Sequence, residues 1–199
     1  MTLIYVHGAN STPLSFAFFK EHMDEPDHVD FEYSVLDPVE NAVNALIKTT
    51  REHGKAVDVV SHSLGGVIAT VAARRGAKIR RLVTISSPFG GSRLASMLRW
   101  THPCQLFDDI HVYSPFILEA ISSPAPIDMH SIVTCAGSRT LFGEDNDGVV
   151  SVASQMALSG PHYKKIDLNH FEILLSREIV IEIKDYLLNG HGKKSKKTN

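Results

Sequence analysis

The sequence predicts an α/β fold, in which a mostly parallel sheet carries helices on both of its faces. Two observations predict it. Short runs of β-branched residues alternate along the chain with segments whose apolar residues recur at helical spacing. The central runs are apolar nearly throughout, which is typical of parallel strands buried on both faces. At 199 residues, 43% of them hydrophobic, the chain is long enough to bury one large core.

The predicted strands are short runs rich in β-branched residues, a composition that favours extended backbone. The first run leads into a polar turn, and each of the others is separated from the next by a helical or loop segment. The runs lie at residues 3–6, 29–36, 56–60, 79–85, 131–136 and 164–168.

Helical periodicity marks the segments between these runs. An aromatic segment at residues 16–19 predicts the first helix. In the next, Asp37 is the predicted N-cap, Pro38 takes the first helical position, and Glu40 completes a capping box. Residues 64–73 are apolar on nearly every side, which predicts a buried helix. Residues 173–188 predict a closing helix with one apolar face.

Charge and hydropathy exclude several kinds of partner. Lysine and arginine number 20 against 22 acidic residues, and this net charge of -2 lacks the basic excess that nucleic acid requires. The longest largely apolar stretch, residues 65–73, is about half of what spans a bilayer. The apolar segment at residues 3–6 is too short for a secretory signal. The sequence therefore predicts a cytoplasmic protein without stable membrane insertion.

Cysteines and lysines add two further expectations. Cys104 and Cys135 form neither a disulfide framework nor a metal-ligand spacing, so the sequence predicts no metal and no cofactor. Residues 191–199 carry four lysines and no apolar anchor, which predicts a disordered basic tail. Residues 1–190 are expected to form a single domain, and the sequence makes no prediction of oligomeric state.

Ser63 is the strongest candidate for a chemical role. The run Ser61-His62-Ser63-Leu64-Gly65-Gly66 joins a buried strand to a buried helix. A turn this tight needs small residues two before and two after the serine, and it exposes the hydroxyl at the carboxyl end of the sheet. The usual pattern is Gly-x-Ser-x-Gly, and Ser61 replaces its first glycine. A helix N-cap would also explain Ser63, but not the two glycines.

A second signal, His7-Gly8-Ala9, ends the first strand. Such a loop beside a serine turn can supply a backbone N–H to an oxyanion, so the backbone N–H groups of Ala9 and Leu64 are the predicted donors. His7 itself is interpreted as a residue that orients the loop.

An acid and a base follow in the order that this kind of triad requires, Ser63, Asp147, His170. Asp147 is preferred to Asp145 because residues 148–150 turn the chain directly into the next helix. His162 is the main rival to His170. His62 directly precedes Ser63 and cannot easily reach its neighbour's hydroxyl, so it is assigned a packing role.

These motifs together resemble the α/β-hydrolase superfamily, in particular its small bacterial lipases and esterases. The runs Ile85-Ser86-Ser87-Pro88-Phe89-Gly90-Gly91-Ser92 and Asn169-His170-Phe171 belong to the same resemblance, which spans the chain except for residues 100–130 and the tail. It implies a minimal sheet of about six strands, with Ser63 as nucleophile, Asp147 as orienting acid and His170 as base. Glu172 stands near the place where some lipases of this branch hold calcium, but no partner acid is identifiable.

The resemblance implies an esterase that acts on a small-molecule ester or acyl substrate. A thioesterase or acyltransferase could use the same triad, and a catalytically silent binding module is a further alternative. The insertion at about residues 100–130 is either a cap that binds substrate or a connecting helix packed on the core. Its candidate substrate-binding residues are Trp100, Phe107, Tyr113 and Phe116.

Overall fold

The computed structural model describes residues 2–24, 27–98, 104–137 and 143–191. Within these residues, six strands form one sheet: β1 (Leu3–Val6), β2 (His28–Phe31), β3 (Val57–His62), β4 (Ile79–Ile85), β5 (Asp128–Thr134) and β6 (His162–Ile166). Their order across the sheet is β2-β1-β3-β4-β5-β6, and every neighbouring pair is parallel. The predicted α/β fold is therefore confirmed.

Helices connect the strands and cover the sheet. The α-helices of the described residues are α1 (Ala17–Met23), α2 (Val39–Glu52), α3 (Leu64–Arg74), α4 (Arg93–Leu98), α5 (Gln105–Ile110), α6 (Pro115–Ala120), α7 (Val152–Gln155) and α8 (Arg177–Asn189). Two 3₁₀ helices, Pro13–Phe16 and Glu172–Leu175, precede α1 and α8.

Alternation along the strands divides the core between the two faces of the sheet. In β1, Ile4 and Val6 pack with α2 and α3 on one face, whereas Leu3 and Tyr5 pack with α1 and α8 on the other. All four side chains are buried. The central strands thus have no wet face, as their composition predicts.

Several predicted boundaries differ from the observed ones; the strands predicted at 56–60, 131–136 and 164–168, for example, are shifted by one to three residues. The strand predicted at 29–36 ends at Phe31. The closing helix predicted at 173–188 is interrupted at Ser176, whose hydroxyl caps α8 by accepting a hydrogen bond from the Ile179 N–H. Asp37 does not cap α2, because that helix begins at Val39 and its first N–H donates to the Asp109 carboxylate at 2.9 Å. A side chain 70 positions away supplies the cap.

The segment between β4 and β5 is packed onto the body of the protein. Phe116, Ile117 and Ala120 of α6 are buried in the core beside α3. At the end of α3, the Arg74 guanidinium donates to the Ala120 carbonyl, and the Arg75 guanidinium donates two hydrogen bonds to the Glu119 carboxylate. These contacts join α6 to α3, one of the helices that cover the sheet.

At the C-terminus, the sequence predicts that a disordered tail begins at His191, but this residue packs against the protein. Its imidazole packs against those of His130 and His162 and against the Tyr186 ring. The remainder of the predicted tail, residues 192–199, lies outside the described residues. Among the helices that the structure describes, none combines the length and apolar character needed to cross a membrane.

Candidate active site

Ser63 lies on a strained turn between β3 and α3. Its φ of 53° and ψ of -126° put it in a region that non-glycine residues rarely adopt. The Ser63 N–H donates to the Ile85 carbonyl oxygen at 2.8 Å, which holds the turn against the end of β4. The side chain is half-buried at the carboxyl edge of the sheet. This is the geometry that the sequence motif predicts.

The small residues around Ser63 have steric explanations. A Cβ on Gly65 would lie 2.5 Å from the His7 carbonyl oxygen, and a Cβ on Gly66 would collide with the Ser87 hydroxyl. Ser61 fits in place of the usual glycine because its buried hydroxyl donates to the Val83 carbonyl at 2.8 Å. A serine instead of glycine at position 61 therefore adds a hydrogen bond between β3 and β4 and leaves the turn intact.

The loop after β1 packs directly against the serine. A Cβ on Gly8 would lie 2.9 Å from the Ser63 Cβ, so only glycine allows this approach. Leu64 is the first residue of α3, and its N–H has no acceptor within the helix. Gly8 and Ser63 therefore lie against each other, and the predicted oxyanion donors, Ala9 and Leu64, are the residues that directly follow them in the chain.

His7 fixes the loop through its ring and its backbone. The imidazole stacks on Tyr33 with ring centroids 4.4 Å apart, and its Nδ1–H donates to the Gly8 carbonyl at 2.8 Å. The Tyr33 hydroxyl donates to the His7 carbonyl at 3.0 Å. Burial lowers the pKa of His7, which favours the neutral ring that these contacts require.

Asp147 and His170 form a buried pair at the same edge of the sheet. The His170 Nδ1–H donates to Asp147 Oδ2 at 2.7 Å, and the His170 N–H donates to the Asp147 carbonyl at 3.0 Å. Both side chains are almost fully buried. Because Nδ1 carries the proton, Nε2 is the ring nitrogen that can accept one.

The Asp147 carboxylate is held by five donors. Oδ1 accepts from the N–H groups of Val149 and Val150 at 2.9 and 2.7 Å. Oδ2 accepts from His170, from the Thr134 hydroxyl at 2.6 Å and from the Gln155 amide at 3.3 Å. Burial alone would raise the pKa of Asp147, but the hydrogen bond and charge of His170 and these further donors hold it below its usual value.

His62 connects Ser63 to His170. Its Nε2–H donates to the His170 carbonyl at 2.9 Å, and the two ring centroids are 4.7 Å apart. No hydrogen bond joins the Ser63 hydroxyl to His170 in the described part of the chain. In unliganded catalytic sites this contact is commonly long. The residue next to Ser63 therefore positions the backbone that carries His170.

The buried His62 predicts a loss of stability in acid. Burial, with the nearby His170, lowers the pKa of His62 to about 3. In the unfolded chain its pKa is about 6.5. As the pH falls, His62 is therefore protonated in the unfolded chain before it is protonated in the folded protein. The protein keeps its full stability above the pKa of His62 in the unfolded chain and loses stability as the pH drops toward 3. When the pH is lowered from about 7 to about 5, the unfolding free energy of the parent protein should therefore fall by about 2 kcal/mol more than that of His62→Gln.

Urea unfolding at the two pH values measures this difference. His53→Gln, at an exposed position beyond α2, is the matched control and should lose as much stability as the parent protein. Equal acid losses for His62→Gln and the parent would show that His62 is not buried in its neutral form.

The structure does not bring the rival residues to this pair. The His162 ring is exposed and contacts His130 on β5. The Asp145 carboxylate is exposed and lies 3.8 Å from the Lys165 ammonium. Glu172 opens the second 3₁₀ helix, where its carboxylate accepts from the Asn169 N–H at 3.2 Å.

The candidate substrate-binding aromatics do not share one surface. Phe116 is buried in the core, Phe107 is half-buried, and Tyr113 is 78% exposed. Trp100 lies outside the described residues. The placement of Phe116 matches the alternative in which this helix packs on the core.

Thr134, Gln155 and Tyr33 are site residues that the sequence does not reveal. Thr134 ends β5, and its hydroxyl accepts from Ser86 at 2.7 Å while it donates to Asp147. The Gln155 amide pairs with both backbone groups of Thr134 at 2.9 Å. Threonine at the end of a strand is the one local signal, since the carboxyl edge of the sheet is where the site lies.

Comparisons with known proteins identify the family and the fold of the chain. The family described as PGAP1-like alpha/beta domain matches residues 8–112. No curated protein matches the chain in sequence.

Three solved structures are similar in fold. The mature lipase BlEst2 of Bacillus licheniformis is 16% identical with a TM-score of 0.66, over 94% of this chain and 91% of that one. The monoacylglycerol lipase of Paleococcus ferrophilus is 14% identical with a TM-score of 0.68, over 95% and 94%. The lin2722 product of Listeria innocua is 15% identical with a TM-score of 0.67, over 98% and 96%. These similarities confirm the α/β-hydrolase fold.

Proposed function

Since the chain belongs to the PGAP1-like alpha/beta domain family and has the fold of bacterial lipases and esterases, we propose that it hydrolyses carboxylic esters with Ser63 as nucleophile. His170 is the general base and Asp147 its orienting acid. The family match ends at residue 112, so it covers the serine turn but neither of the other two residues. Their assignment rests on the geometry of this chain.

The buried pair of Asp147 and His170 carries the proposal. A carboxylate that accepts five hydrogen bonds in the interior is stable only as an anion with a fixed orientation. Its Oδ2 fixes the proton of His170 on Nδ1 and would stabilise the imidazolium that forms during the reaction. A purely structural aspartate and histidine would not explain the strained backbone of Ser63, whose chain neighbour His62 donates to the His170 carbonyl.

Each step of the proposed reaction uses a group described above. The Ser63 Oγ attacks the ester carbonyl carbon while the His170 Nε2 takes its proton, which gives a tetrahedral oxyanion. The N–H groups of Ala9 and Leu64 donate to that oxyanion. The imidazolium returns the proton to the departing alkoxide, leaving an acyl-enzyme. Water, activated by the same nitrogen, then releases the carboxylic acid and restores Ser63.

Exposed apolar side chains beside the pair favour an acyl substrate. Phe171 directly follows His170, against whose ring it packs, and is 65% exposed; Val149, two residues after Asp147, is 58% exposed. An exposed apolar surface next to catalytic groups is suited to contact with a hydrocarbon chain.

Turnover of graded substrates tests this function. A panel of p-nitrophenyl esters from acetyl to dodecanoyl should be hydrolysed well above the uncatalysed rate, and faster than the matching thioesters. Higher kcat/KM on the thioesters would instead favour the thioesterase alternative. The absence of turnover across both panels would contradict a hydrolytic function.

A further inference from the structure

Three histidines from distant parts of the chain meet at the sheet edge opposite the active site. His130 and His162 are register partners near the amino-terminal ends of β5 and β6, and His191 follows the end of α8. One ring nitrogen from each lies within 4.8 Å of the other two. Asp147 and His170, in contrast, lie beyond the carboxyl ends of these strands.

The spacing of two of the nitrogens fits coordination. His130 Nδ1 and His162 Nδ1 are 3.3 Å apart. With Zn–N bonds of about 2.0–2.1 Å at tetrahedral angles, two nitrogen ligands stand about 3.3–3.4 Å apart. A hydrogen bond between these two rings would not explain the third imidazole, whose ring nitrogen lies within 4.8 Å of both.

A carboxylate orients the buried member of the cluster. The His130 Nε2–H donates to the Glu182 carboxylate on α8 at 2.9 Å, which leaves the Nδ1 lone pair available opposite His162 Nδ1. The second oxygen of Glu182 pairs with the Lys164 ammonium. Metal-bound histidines commonly donate their other ring N–H to a carboxylate in this way.

We propose that His130, His162 and His191 bind a Zn²⁺ ion that fastens the end of α8 to the edge strand β6. Three imidazole nitrogens suit Zn²⁺, with water in the fourth position, whereas Ca²⁺ and Mg²⁺ prefer oxygen ligands. His130 is buried and the other two are exposed, so the ion can enter from solvent. The ion joins β5, β6 and the end of α8 at the amino-terminal ends of the strands, away from the Asp147–His170 pair.

The sequence predicted no metal because the ligands have no recognisable spacing. His130 and His162 are 32 positions apart and lie on different strands. The sequence pattern places His191 at the start of a disordered tail. Only the parallel pairing of β5 with β6, and the return of α8 across them, bring the three together.

Zinc titration of the full-length, chelator-stripped protein tests this site. Competition with a chromophoric chelator should give one tight Zn²⁺ site per chain. His162→Ala and His191→Ala should each weaken binding by at least about 10-fold, and Glu182→Gln by about 10-fold or more. His53→Ala, on a remote exposed surface, is the matched control and should bind as the parent protein does.

Thermal unfolding gives a readout that does not depend on activity. Free Zn²⁺ at about 100 times its Kd should raise Tm by about 5 to 10 °C in the parent protein and in His53→Ala. The rise should be absent from the His162→Ala/His191→Ala double variant, and Mg²⁺ and Ca²⁺ should not produce it. The proposal would be overturned if the double variant and the parent protein had the same zinc affinity and the same Tm shift. It would also be overturned if the parent protein bound no zinc tightly.

Discussion

Ser63→Ala should lower ester turnover by at least about 10⁴-fold, because no other group can form the acyl-enzyme. The fold should be unaffected. Alanine has the same backbone strain as serine at φ 53°, and the Ser63 hydroxyl makes no hydrogen bond to another described residue. The kcat/KM for a p-nitrophenyl ester and the urea midpoint together measure both parts of this expectation.

Ser122→Ala is the matched control for this variant. Ser122 is an exposed serine just after α6, and its hydroxyl donates only to the Glu119 carbonyl, one turn away. Its turnover should stay within about 2-fold of the parent value, since surface substitutions seldom disturb a remote site. Turnover retained by Ser63→Ala would disprove the nucleophile assignment.

Asp147→Asn should reduce kcat by about 10⁴-fold, because the asparagine amide cannot hold the His170 proton on Nδ1. It should also cost about 1–3 kcal/mol of stability. All the groups around this side chain are donors, namely two backbone N–H groups, the Thr134 hydroxyl, the Gln155 amide and His170. An NH₂ group placed among them leaves buried donors facing each other. Steady-state kinetics and urea unfolding measure the two effects.

Asp145→Asn separates this effect from a general loss of loop charge. Asp145 is two positions away in the same loop, is exposed, and lies 3.8 Å from Lys165. We expect turnover within about 2-fold of the parent and stability within about 0.5 kcal/mol, as for other surface substitutions. A large loss of kcat in Asp145→Asn, with little change in Asp147→Asn, would show that the wrong carboxylate has been assigned.

The strands and the serine turn could be predicted from sequence because their signals are local. The strand at 79–85 coincides with β4, and the buried helix predicted at 64–73 is α3 to within one residue. Gly65 and Gly66 identify the turn in the sequence, because a side chain at either position would collide with neighbouring atoms. Ser63, Asp147 and His170 follow the carboxyl ends of β3, β5 and β6, and the parallel pairing of these strands brings those ends to one edge of the sheet.

The features that were missed depend on contacts between distant residues. The cap of α2 comes from Asp109 because α5 packs at its start, and no pattern near Asp37 could show this. Thr134 and Gln155 become parts of the site only when β5 and α7 surround Asp147. The cluster of His130, His162 and His191 likewise exists only after β5, β6 and α8 have packed together.

Labelling with a fluorophosphonate tests the central claim most directly, because the probe reacts only with a serine that a neighbouring base has activated. Peptide mass spectrometry should find one phosphonyl adduct per chain, on Ser63, and none in His170→Ala, whose serine is intact but has no base. A protein that stays unlabelled, carries the adduct on another residue, or labels equally well without His170 would contradict the account.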